Sequence, residues 1–348
     1  MKCRAALLTL LVSALALAAR SDEAKPRKTT RVKIEIPADG HHSFAAMLTL
    51  PGLKDRGPAI VLIPGFVPGA QSHGEETWRD LSTEDSATTL TRYLALNGFA
   101  VLQMPIGNFA LGGEPPGSLD ELADRAISAV QYLKTRPEID SARIGIIGQS
   151  VGGFIGAIAT SKSKDVVVFV TLATPMDSID RTYDEVLEQL LRGGKAREAE
   201  QLKVRNKMKE TFAAARKGAD AKQLCPAVED FLRSEYACLP KQYQELAATN
   251  ADEFVRKQLE DHLRDLTTPL YRSMIGYDIG QTLKGIDRPM LILFAEHDFK
   301  VEPQRSTALA TALMHQSGRT NWTVKTIAGA NHFFEASAEG VLRCFRWS

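Results

Sequence analysis

Arg143-Ile144-Gly145-Ile146-Ile147-Gly148-Gln149-Ser150-Val151-Gly152 is the stretch that decides the fold. The apolar run from Arg143 to Ile147 reads as a strand, and Gly148 to Gly152 reads as a sharp turn with Ser150 at its apex. A residue at such an apex sits in a strained backbone conformation, and side chains two positions to either side would collide with the neighbouring strand or helix. Gly148 and Gly152 remove both collisions. Gly153-Phe154-Ile155-Gly156-Ala157-Ile158-Ala159 is small and apolar, as a helix must be to leave the turn and pack closely on a sheet. Strand, turn and helix together make a nucleophile elbow.

A serine hydroxyl is a weak nucleophile and needs a base, which in turn needs a residue to orient it; with this elbow they come in the chain order serine, acid, histidine. Pro289 to Ala295 is a short apolar run, hence a buried parallel strand. It delivers Glu296-His297-Asp298 at its C-terminal end, where the functional groups of open α/β sheets collect. Asp298 is the candidate acid. Glu296, two residues away, and Asp177 and Asp180, after the preceding strand, are its rivals. Asn321 to Ile327 alternates as a strand and ends in Gly329-Ala330-Asn331-His332, which puts His332, the candidate base, on the loop after the last strand. The remaining histidines, His41, His42, His73, His262, His297 and His315, read as solvated or structural.

From about Arg31 to the C-terminus the chain resembles the α/β-hydrolase superfamily, in particular its esterase and peptidase-like branch with a helical insertion before the acid strand. The elbow, Ala295-Glu296-His297-Asp298 and Gly329-Ala330-Asn331-His332 in this order carry the resemblance. It implies an α/β fold with a doubly wound, mostly parallel sheet. It also implies a Ser150, His332, Asp298 triad that cleaves a carboxylic ester through an acyl-enzyme. The oxyanion would be held by backbone N–H groups of Val151 and of Phe66, the residue after Pro64-Gly65; Pro68 has no N–H to give. A peptidase or acyltransferase with the same triad is the alternative, and a non-catalytic binding protein on the same scaffold is an alternative of another class.

Four segments organise the chain: residues 1–19, a first core part 20–174, an insertion 175–285, and a second core part 286–348. In the insertion Leu187, Leu190, Leu191, Phe212, Phe231, Leu232, Leu259, Leu263 and Leu266 stand among many charged residues, a pattern of amphipathic helices. Relatives place a lid there. Elsewhere the periodicity predicts an antiparallel pair, Arg31 to Ile36 and Ser43 to Leu50, strands at Ala59 to Ile63, Phe99 to Met104 and Val166 to Leu172, and helices from Ser86 to Asn97 and Leu119 to Lys134.

Residues 1–19 begin with Lys2 and Arg4, continue with the apolar stretch Ala5 to Ala18, and end in Ala16-Leu17-Ala18-Ala19. This reads as a cleaved signal peptide, so a periplasmic or secreted protein is expected; no other stretch is long and apolar enough to span a bilayer. The whole chain holds 43 Lys and Arg against 42 Asp and Glu. Cleavage removes Lys2 and Arg4 and no acidic residue, so the mature chain has no basic excess for nucleic acid. No His-Glu-x-x-His, paired Cys-x-x-Cys or Walker-type loop occurs, so no metal and no cofactor is expected; the resemblance implies a small acyl substrate as the partner. Nothing in the sequence marks an oligomeric state. In an oxidising compartment Cys225 and Cys238 are expected to close a short loop in the insertion, leaving Cys344 over.

Overall fold

The computed structural model describes residues 28–38, 42–52, 55–65, 86–106, 117–192, 194 and 196–336. Eight strands form one sheet in the order β1-β2-β4-β3-β5-β6-β7-β8. They are β1 Thr29–Ala38, β2 His42–Pro51, β3 Gly57–Ile63, β4 Ala100–Gln103, β5 Ile139–Gln149, β6 Val168–Leu172, β7 Met290–His297 and β8 Trp322–Asn331. β1, β2 and β4 pair antiparallel, and every pair from β4 through β3 to β8 is parallel. This is the expected doubly wound sheet with an antiparallel edge.

Strand composition explains why helices must cover both faces. Every residue of β3 is buried, and its side chains alternate between two apolar layers: Ala59, Val61 and Ile63 join one cluster, Ile60 and Leu62 the other. The first layer is completed by α2 (Leu119–Thr135), α3 (Val151–Lys162), α9 (Pro269–Met274), α10 (Ile279–Lys284) and α11 (Pro303–Ser317). The second is completed by α1 (Ser86–Leu96) through Leu90 and Leu94. Helix α2 starts where a capping box dictates, since the Ser118 hydroxyl accepts from Glu121 N and the Glu121 carboxylate accepts from Ser118 N. α1 ends at a left-handed Gly98, φ 88°.

Between β6 and β7 the chain leaves the sheet for α4 (Ile179–Arg192), α5 (Glu198–Arg216), α6 (Ala221–Cys238), α7 (Lys241–Ala247) and α8 (Ala251–Thr267). Leu187, Leu191, Val204, Met208, Phe212, Leu224, Phe231, Leu232, Phe254 and Leu266 bury one another in a third cluster, so these helices carry a core of their own. The packing boundary falls earlier than residue 285. Leu270 and Met274 of α9 and Ile279 and Leu283 of α10 already belong to the core of the sheet.

β5 and β8 each extend four residues past the sequence pattern at one end. β5 begins at Ile139, and β8 continues through Gly329 to Asn331, because a left-handed glycine there (φ 66°) lets the strand bulge rather than stop.

The expected disulfide does not form. Cys225 and Cys238 lie on the same helix, α6, and both are free thiols. Thirteen helical residues separate them by ~20 Å along the axis, whereas a bridge needs Cα atoms within about 7 Å. Burial pushes the Cys238 thiol up. Cys344 lies outside the described residues, as do residues 1–19 and Phe66.

Candidate active site

The order of the strands reverses at β3, which has β4 on one side and β5 on the other, and ligands of open α/β sheets bind where such a reversal leaves a crevice at the strand ends. Both strands deliver chemistry to that point. After β5, Ser150 takes φ 52° and ψ −120°, a left-handed conformation that a non-glycine residue adopts only under constraint. The surroundings impose it: Ser150 N donates to Leu172 O at 2.8 Å, tying the turn to β6. A Cβ on Gly148 would lie 2.3 Å from Gly152 O, and one on Gly152 only 2.2 Å from Ile63 O. After β3, Gly65 approaches so closely that a Cβ there would stand 3.0 Å from the Ser150 Cβ and 3.7 Å from its Oγ.

Val151 is the first residue of α3, so its N–H belongs to the turn whose donors have no intrahelical acceptor. Its expected companion, Phe66 N–H, falls outside the described residues.

Asp298 and His332 meet in the interior. His332 Nδ1 stands 2.9 Å from Asp298 Oδ1 and 2.8 Å from Oδ2, and the two side chains are 4% and 1% exposed. Asp298 Oδ1 also accepts from Lys300 N at 2.8 Å and Val301 N at 3.0 Å, so the carboxylate is held as an acceptor by the backbone just beyond β7. An acceptor on both oxygens requires the proton on Nδ1 and leaves Nε2 with a lone pair. The imidazole is flanked edge-on by Phe299 and Phe333, with ring centroids 6.2 and 5.3 Å away.

The rivals of Asp298 are engaged elsewhere. Glu296 Oε2 accepts from Gly329 N at 2.7 Å. Asp177 accepts from Arg305 Nη2 at 2.9 Å, and Asp180 from Gly276 N at 2.9 Å. Among the other histidines, His262 is half-buried in the insertion, its Nδ1 2.9 Å from Gln258 O and its Nε2 3.4 Å from Tyr183 Oη, and desolvation lowers its pKa. His297 is exposed at the end of β7. Glu296, His297 and Asp298 do not converge, and among the described residues no group of three His, Cys, Asp or Glu side chains could hold a metal ion. Nor is any helix among them long and apolar enough to cross a membrane.

Sequence reasoning passed over two features next to this pair: the Glu296 to Gly329 bridge and the turn closed by Asn331. The Asn331 Oδ1 accepts from Phe333 N at 2.9 Å and Glu335 N at 3.0 Å. A glycine and an asparagine within four residues of a strand end were the available signal, since both residue types mark bulges and tight turns.

A mostly parallel eight-stranded sheet with a serine elbow after β5 and an acid and histidine after β7 and β8 defines the α/β-hydrolase class. The model of the alpha/beta hydrolase family matches residues 60–343, and the chain belongs to that family. No curated protein matches it in sequence. Among solved structures it is similar to the hypothetical protein PA2218 from Pseudomonas aeruginosa, at 17% identity and a TM-score of 0.52 over 92% of this chain and 94% of that one. It is also similar to the Pyrococcus furiosus esterase Pf2001, at 13% identity and a TM-score of 0.53 over 90% of each chain. At these identities the likeness is one of fold.

Proposed function

We infer that the protein is an exported serine hydrolase that cleaves a carboxylic ester of small or medium acyl length. The observation that carries this reading is the buried Nδ1 contact between His332 and Asp298, beyond the C-terminal ends of strands parallel to the one that leads into the strained Ser150 turn. Asp298 fixes the tautomer that leaves Nε2 free to take a proton. His332 takes the Ser150 hydroxyl proton as the oxygen attacks the carbonyl, Asp298 stabilises the resulting imidazolium, and the proton passes to the leaving group. Water then enters by the same route and releases the acid. The N–H groups of Val151 and Phe66 hold the oxyanion, at the point where helix α3 presents its positive end. The Pyrococcus furiosus protein of the same fold is an esterase, which is compatible with an ester substrate here. Helices α4 to α8 act as the lid that selects the acyl group, and residues 1–19 direct export.

The test is hydrolysis of activated aryl esters of graded acyl length, with aminoacyl amides in parallel, together with labelling by a fluorophosphonate. Wild-type protein is expected to hydrolyse the esters and to be labelled, and Ser150→Ala to do neither while keeping its circular dichroism spectrum. Labelling of the alanine variant at the wild-type level would remove Ser150 as the nucleophile.

A further inference from the structure

The pairing of β7 with β8 is not continuous. Ala295 stands opposite Ile327, and an unbroken parallel ladder would carry the count three residues on to set Asp298 against Ala330. The next pair is instead His297 with Asn331, which brings Asp298 into register with His332. One residue of β7, Glu296, therefore faces three of β8: Ala328, Gly329 and Ala330. Two extra residues on β8 are what make the acid and the histidine neighbours.

A bulge of this kind interrupts the ladder, and a neighbouring side chain can take up a backbone group left without its strand partner. Glu296 does so: its Oε2 accepts from Gly329 N at 2.7 Å, across a sequence separation of 33 residues. Gly329 supplies the left-handed φ of 66° that the extra residues need. Beyond the bulge the chain is closed again. Asn331 N donates to Glu335 O at 3.0 Å, Phe334 N donates to Asn331 O at 2.8 Å, and the Asn331 side chain takes the N–H groups of Phe333 and Glu335. The imidazole is thus fixed from both sides by groups that do not touch it.

We propose that Glu296 and Gly329 form a register lock that positions His332 on Asp298, Glu296 being a positioning residue and not a rival acid. Its effect on turnover rests on the proposed hydrolase function; the register itself does not. The test is ring ¹⁵N NMR of histidine-labelled protein without substrate, at a pH where His332 is neutral, together with steady-state kinetics on an aryl ester. In the wild type the His332 shifts should report a single Nδ1–H tautomer. In Glu296→Ala and Gly329→Ala they should move toward a mixture of tautomers, with kcat down about 10- to 100-fold and KM nearly unchanged. Glu296→Gln should restore both readouts, because the amide oxygen can accept from Gly329 N. A merely structural role would lower the melting temperature of Glu296→Ala and leave its ring shifts and kcat as in the wild type; that result overturns the proposal. So does a wild-type His332 without the Nδ1–H tautomer, or an alanine-like Glu296→Gln. If no ester is hydrolysed yet the ring shifts of the variants move toward mixed tautomers, the lock stands and the functional reading falls.

Discussion

At Ser150 the chain holds one residue in a conformation that costs of order 1–3 kcal/mol and surrounds it with glycines that nothing larger can replace. A Gly152→Ala substitution would drive a methyl group into Ile63 O, a backbone atom that cannot swing aside. It should destabilise the fold or displace Ser150, seen as a lower melting temperature with slower phosphonate labelling. The acid can be tested by ranking. Asp298→Asn removes an acceptor held against Nδ1 and should lower kcat by about 10³- to 10⁴-fold. Asp177→Asn, which loosens contacts to Arg305, Arg181 and Ser178, and Asp180→Asn, which loosens one to Gly276, should stay near the wild type. The reverse ranking in ester kinetics would move the acid. Ser150, Asp298 and His332 were all legible as residue types at the ends of apolar runs. What excludes Glu296 and Asp177 was not, because each is occupied by a group from a part of the chain far from it in sequence.

Among the elements, the insertion helices have the least usual interior. Glu235 on α6 is 3% exposed, and burial pushes its carboxyl up to about 8; Asp265 on α8 is pushed up to about 7 by the same cause. A carboxyl whose folded-state pKa exceeds its unfolded value favours folding in its protonated form. That contribution is complete below the unfolded carboxylate range and is lost as pH rises through the folded values. The melting temperature should therefore fall between about pH 4 and 8 and level off above, and Glu235→Gln, which cannot ionise, should fall less over that interval in a thermal scan. A variant with the same pH slope as the wild type would show that Glu235 does not control it. The helices themselves were visible as amphipathic repeats. Their ionisable interior was not, since periodicity locates a buried face without showing which polar residues of neighbouring helices are trapped in it.

For the molecule as a whole, the separate apolar cluster of α4 to α8 means that the insertion packs on its own contacts, while α9 and α10 are part of the sheet's core. Replacing residues 181–266 by a Gly/Ser linker should therefore change the ranking of acyl chain lengths and raise KM, with a smaller effect on phosphonylation of Ser150. An unchanged ranking would make the insertion a surface for partners instead of a lid. Exported protein should begin near Ala19 or Arg20 by mass spectrometry; an intact Met1 would contradict cleavage.

The sequence by itself determined the alternation of strands and helices, the elbow, and the chain order of serine, acid and histidine, because these depend on side-chain patterns within a few residues. Tertiary structure alone decided three other things. It set Asp298 and not Glu296 against His332, through a two-residue bulge that only the pairing of two distant strands reveals. It kept Cys225 and Cys238 apart by continuing one helix across the segment that could have looped. It assigned α9 and α10 to the main core, since an apolar stripe states that a helix must be buried but not which surface buries it.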